Sequence, residues 1–275
     1  MQTDLTHRSE AQLATVAHPR PGYGRDDRFF LTMALVMAAV IAAGFSMQLA
    51  MGRSSFSAPP LVHFHAVIFF GWVVIYVTQS ALVTRGSMVL HRRLGWLAAA
   101  WAVMMVGVGI FTTMTMARQG TIPFFFQPAY FLVMNSMTML CFGGLVAAAI
   151  TLRKRTEWHR RLLFCAMAFL TGPAFGRLLP MPLLIPFAEW AVFAALMVLP
   201  LVGIVSDIRR RGSVHAAWWW GVAAMAASQL AMTLIAHSPL GLAIYHGVTR
   251  GSPGAAAPPY EFAPPPESAL ITGRG

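Results

Sequence analysis

Seven stretches of the chain are almost continuously apolar and are separated by short polar or basic connections: Phe29–Met51, Leu61–Val83, Leu94–Met116, Tyr130–Leu152, Leu162–Leu179, Leu183–Val205 and Ala216–Ala236. A bilayer core of about 30 Å needs roughly 20 apolar residues in a helix. The runs meet or approach that length and show no period-two alternation, so the pattern predicts helices rather than barrel strands. The expected fold class is an all-α membrane protein with seven transmembrane helices (residues 29–236). A basic tail (1–28) precedes them, and a Pro/Ala/Gly-rich tail (237–275), largely disordered, follows.

Composition agrees. Of 275 residues, 57% are hydrophobic and 11% charged, and the mean hydropathy is +0.63. A soluble domain carries about 25% charged residues, so this chain has too few to cover a water-facing surface. Two cysteines exclude a disulfide scaffold; Cys141 and Cys165 fall within apolar runs as reduced thiols.

The net charge of +11 suggests a polyanion partner until its distribution is considered. Fifteen of the twenty basic residues lie in the amino tail, the second-to-third connection, the fourth-to-fifth and the sixth-to-seventh. All four segments share one side of a seven-span topology. The positive-inside rule then puts the amino terminus in the cytoplasm and the carboxyl terminus outside. The partners implied are the bilayer and anionic lipid headgroups, not nucleic acid. A bacterial inner membrane is the expected location, with a homo-oligomer or a membrane complex as further partners.

A short passage recurs. His91-Arg92-Arg93-Leu94-Gly95 opens the third run and His159-Arg160-Arg161-Leu162-Leu163 opens the fifth. The second and third helices then read as a hairpin duplicated by the fourth and fifth, together forming a four-helix core. His91 and His159 are expected at equal depth, as a bis-histidine haem requires; the same residues suit headgroup anchoring.

Other polar groups gather at the opposite side. Glu189 is the one acid inside the seven runs, and the short link between the fifth and sixth helices brings Arg177 within reach of it. Gly172-Pro173 is expected to kink the fifth helix, and Pro200 the sixth. His63 and His65 lie about 200° apart on a regular helix, so one metal cannot take both. With His237 and Asn135 they complete a candidate ionic or proton site: His63 or His65, Asn135, Arg177, Glu189 and His237. Trp218, Trp219 and Trp220 are expected as an interfacial belt. No phosphate loop, zinc helix or nucleophile elbow is present.

His63-x-His65-Ala66, His91-Arg92-x-Leu94-Gly95 and Trp158-His159-Arg160-Arg161-Leu162 together resemble a family of uncharacterised bacterial multi-span membrane proteins, over about residues 61–180. The four-helix core is more distantly similar to transmembrane haem-b electron carriers of the ascorbate-reducible type. That resemblance implies haem b held by His91 and His159, with His63 or His65 at a second site. No histidine stands between Phe124 and Thr138 to complete a second pair. Three functions follow as expectations: a haem-b redox carrier, a small-solute or proton-coupled transporter using Arg177 and Glu189, or a non-catalytic membrane subunit. The only lysine, Lys154, lies in a connection, which excludes a retinal pigment.

Overall fold

The computed structural model describes residues 23–54 and 56–265. Nine α-helices follow in order: α1 Tyr23–Ala50, α2 Pro60–Thr84, α3 Met88–Gln119, α4 Pro128–Thr151, α5 Thr156–Phe169, α6 Gly172–Leu178, α7 Ala188–Arg211, α8 Ala216–Ala236 and α9 Pro239–Thr249. Short 3₁₀ turns occupy Met181–Leu184 and Pro253–Ala256. There is no strand among the described residues. Six helices, α1 to α4, α7 and α8, are long and apolar enough to cross a membrane. Val67, Val74, Val103 and Leu234 stand exposed on their outer faces, as lipid contact requires.

Local chemistry sets the helix ends. Proline opens α2, α4 and α9, where its missing N–H costs nothing and its fixed φ already suits a helix. Gly120 and Gly212 close α3 and α7 in the left-handed conformation, at φ 70° and 71°. The helix expected from Leu183 instead starts at Ala188, because Met181–Leu184 forms a 3₁₀ turn ahead of it. Pro200 is accommodated inside α7, which continues through it as one helix.

The fifth apolar run is two helices, not one. The chain breaks at Leu170-Thr171, and Pro173, in the first turn of α6, has no N–H to continue the ladder. The pieces still travel together. Arg160, near the start of α5, pairs with Asp26 near the start of α1. At the other end, the backbone of Ala174 in α6 lies against Gly44 of α1, so closely that a Cβ on Gly44 would stand 2.7 Å from the Ala174 oxygen. α5 and α6 therefore accompany α1 from one end of the bundle to the other.

Helices α2 to α5 pack against one another in chain order. The hairpins α2–α3 and α4–α5 are both present, but α1 packs on α2 and α6, and α8 packs on α4 and α5. α5 becomes the central helix, with every residue from Phe164 to Phe169 buried. A helix buried all round needs no amphipathic stripe.

The carboxyl-terminal region also differs from expectation. Instead of a free tail from His237, α9 and residues 250–265 fold back over the ends of α3 and α4. The Tyr245 hydroxyl donates to the Gly254 carbonyl at 2.9 Å, Ala129 N–H donates to Pro259 O at 3.0 Å, and Arg118 reaches Val248 O at 2.6 Å. Tyr245 is fully buried. Tyr245 and Tyr260, large side chains with polar tips, supply the burial and bonding that a Pro/Ala/Gly-rich segment otherwise lacks. Residues 1–22 of the basic tail, and residues 266–275, lie outside the described residues.

Candidate functional sites at the two ends of the bundle

One end of the bundle carries the basic clusters. There His91, in the first turn of α3, and His159, in the first turn of α5, come together with ring centroids 6.4 Å apart and planes at 88°. The His159 Nδ1–H donates to the Ala149 carbonyl at 2.8 Å, which leaves Nε2 with its lone pair. His91 Nδ1 is buried without a hydrogen-bond partner, and so is Gln79 Oε1. Each imidazole thus has one uncommitted nitrogen.

This geometry suits a pair of ligands. With imidazole–metal bonds of about 2 Å, one ion between two rings holds their centroids about 6 Å apart. Perpendicular ring planes allow both lone pairs to meet it. A bare ion usually takes four protein donors in a closed site, yet no group of three or more His, Cys, Asp or Glu that could hold a metal occurs among the described residues. Two imidazoles alone are the donor set that a haem uses, because the macrocycle fills the remaining positions.

The same end holds a network of buried charge that the sequence reading missed. Arg161, fully buried, clasps Asp207 through Nη2 to Oδ1 at 2.6 Å and Nε to Oδ2 at 3.0 Å. Trp218 donates its indole N–H to Asp207 Oδ2 at 3.0 Å, so it leaves the interfacial belt that Trp219 and Trp220 keep by their exposure. Glu157 receives Arg160 and Arg161 at 2.5 Å and Arg211 at 2.8 Å. Arg160 and Arg211 continue to Asp26. The network ties α1, α5, α7 and α8 together. Burial pushes the Glu157 carboxyl up, but the three guanidinium groups outweigh it and hold it down to about 2. His215 is shifted below its ordinary value by burial and by the Arg161 charge; its Nδ1 accepts the Ala217 N–H at 3.1 Å.

Asp207 stands just past the sixth apolar run, Leu183–Val205, yet within α7. A signal was available: Asp26, Asp27, Glu157 and Asp207, four of the nine acids, all stand beside basic clusters on one side.

At the far end the expected convergence is partial. Glu189, in the first turn of α7, and His237, which follows α8, line one cavity of about 200 Å³ with Gln127 and Tyr130. Aromatic residues Phe126, Phe187 and Trp190 complete much of the wall. His237 presents Nδ1 to the Thr233 carbonyl at 2.9 Å and Nε2 to Gln127 Oε1 at 2.8 Å. The Gln127 amide orientation follows from its Nε2–H, which donates to Tyr260 O at 2.6 Å. Both imidazole nitrogens are thus engaged within the protein. Gln229 joins α8 to α4 by donating to the Tyr130 hydroxyl at 3.0 Å.

The other predicted residues do not line this cavity. Arg177 donates to the Pro173 carbonyl at 2.8 Å and sits 4.1 Å over the Phe45 ring; no ion pair joins it to Glu189 among the described residues. α6 ends at Leu178, so the Arg177 side chain turns along its own helix toward α1. His63 is exposed and donates to Phe56 O at 3.1 Å. His65 points elsewhere, stacked on Phe69 at 4.1 Å with Nδ1 buried and unpartnered. Asn135 donates to the Phe131 carbonyl of its own helix at 2.9 Å.

Compared with family models, curated proteins and solved structures, the chain matches none.

Proposed function

We propose that this multi-pass membrane protein is a haem-b redox carrier whose axial ligands are His91 and His159. The observation that carries the reading is the meeting of these two imidazoles from separate helices, with ring centroids 6.4 Å apart. When bound, haem supplies reversible one-electron transfer. The chain's own contribution is to orient the donors. The Nδ1–H bond from His159 to Ala149 O selects its tautomer, fixes the ring and raises the basicity of Nε2. Gln79, whose side-chain oxygen is buried and unsatisfied and whose Nε2 lies beside Gly95, offers a polar partner near the same site.

Seven crossings belong to the same proposal. α5 and α6 run the length of α1, which supports counting them as one broken span beside the six long helices. The basic clusters then face the cytoplasm by the positive-inside rule, and the histidine pair lies near that face. The motif resemblance supports a bacterial inner membrane.

The test is the absorption spectrum of the protein purified from haem-replete cells. A Soret band that shifts on dithionite reduction is expected, and it should vanish in His91→Ala and in His159→Ala. Its absence from the parent protein overturns the reading.

A further inference from the structure

The cavity at the far end has a composition of its own. Its walls are mainly aromatic, with Phe126, Tyr130, Phe187 and Trp190 around the opening to Glu189. Most polar groups there are already engaged. Gln127 spends its oxygen on His237 and its nitrogen on Tyr260 O. The Tyr130 hydroxyl accepts from Gln229, and both His237 nitrogens face acceptors. The Glu189 carboxylate is different: no arginine or lysine pairs with it among the described residues, and Arg177, the cation nearest in sequence, turns to Phe45 instead.

We infer that this cavity binds a small organic ammonium ion, with Glu189 as its counter-charge and the aromatic residues as its cage. Aromatic faces carry negative potential and attract a cation without the dehydration cost that a second carboxylate would impose. A carboxylate set among such faces selects for positive charge, whereas aromatic walls alone would accept any apolar group. The volume of about 200 Å³ suits a methylated ammonium head rather than a drug-sized molecule. Access is open, because Phe187 is 68% exposed and His237 is exposed at the rim. His237 shares the cavity wall, but its ring nitrogens are engaged by Thr233 and Gln127 rather than by Glu189.

The full-length protein in lipid nanodiscs is titrated with choline and with its uncharged carbon isostere, in which a tert-butyl group replaces trimethylammonium. Calorimetry and tryptophan fluorescence report binding. Saturable choline binding is expected, with the isostere and the Glu189→Gln variant each weaker by about tenfold or more. Phe187→Ala, at an exposed position whose loss the fold tolerates, should weaken choline several-fold and serves if Glu189→Gln does not fold. Lack of saturable choline binding, equal binding of the isostere, or undiminished binding in a folded Glu189→Gln protein overturns the inference.

Discussion

Arg161 and Asp207, 46 residues apart, form a two-pronged ion pair inside the helical bundle, with Arg161 wholly out of solvent and Asp207 nearly so. Two charges at this depth cost several kcal/mol each to desolvate, which their mutual bonds must offset. The pair is therefore a point of vulnerability more than a source of net stability. Its partners decide the balance: Glu157 takes a further Arg161 N–H, and the Trp218 indole and the His215 backbone N–H both donate to Asp207 Oδ2.

Asp207→Asn leaves the buried Arg161 guanidinium with Glu157 alone as its charge partner and should cost about 3–5 kcal/mol. Thermal unfolding in detergent, followed by loss of monodisperse protein, measures it. The double variant Arg161→Met with Asp207→Met should be more stable than either single change, because no charge is then stranded.

Acid should loosen the same end. The Glu157 carboxyl is held at about 2, against 4.5 when unperturbed. A depressed acid contributes stability that is fully present above its unfolded value and is lost as pH falls toward the folded one. The melting temperature should thus decline from about pH 5 downward to about pH 2, with a shallower slope in Glu157→Gln. An identical slope in that variant would assign the acid sensitivity to other carboxylates.

The folded-back carboxyl-terminal cap rests on one close approach. A Cβ at Gly254 would lie 1.8 Å from the Ala117 carbonyl oxygen, which is backbone and cannot step aside. Gly254→Ala should detach the cap at a cost of about 1–3 kcal/mol. Limited proteolysis reads this as faster cleavage after α9 with unchanged helical content.

The histidines should separate by position. His63, exposed and bonded to Phe56 O at the far end, should be replaceable by alanine without change in any haem spectrum. His159→Ala should abolish that spectrum, while Ser or Gln replacement of Asn135, bonded within its own helix, should leave it intact.

Element by element, the apolar runs were a good guide where length alone decides. Ala216–Ala236 is reproduced residue for residue, and α2 and α4 begin one or two residues before their expected starts. Run length alone was a poorer guide at a local break, which Gly172-Pro173 had signalled, and where a distant contact intervened. Pro173 divides the fifth run, and Tyr245 with Tyr260 orders a segment whose composition resembles a flexible tail. The repeated His-Arg-Arg passages pointed to the meeting of His91 and His159, since equal depth follows from position at a helix start. Whether two helices at one depth face each other does not.

What the sequence determined by itself was the class of environment and the location of charge: long apolar helices, joined by connections whose arginines cluster on one side. Those properties are one-dimensional, because the span length and the topology signal are both written along a single stretch of chain. The partners of the charges were decided only in three dimensions. Arg161 meets Asp207 rather than lipid, Arg177 meets Phe45 rather than Glu189, and Glu189 is left facing an aromatic cavity. The reason is rotational: a helix's depth is set by its own residues, but the direction of each side chain is set by the packing of the helices around it.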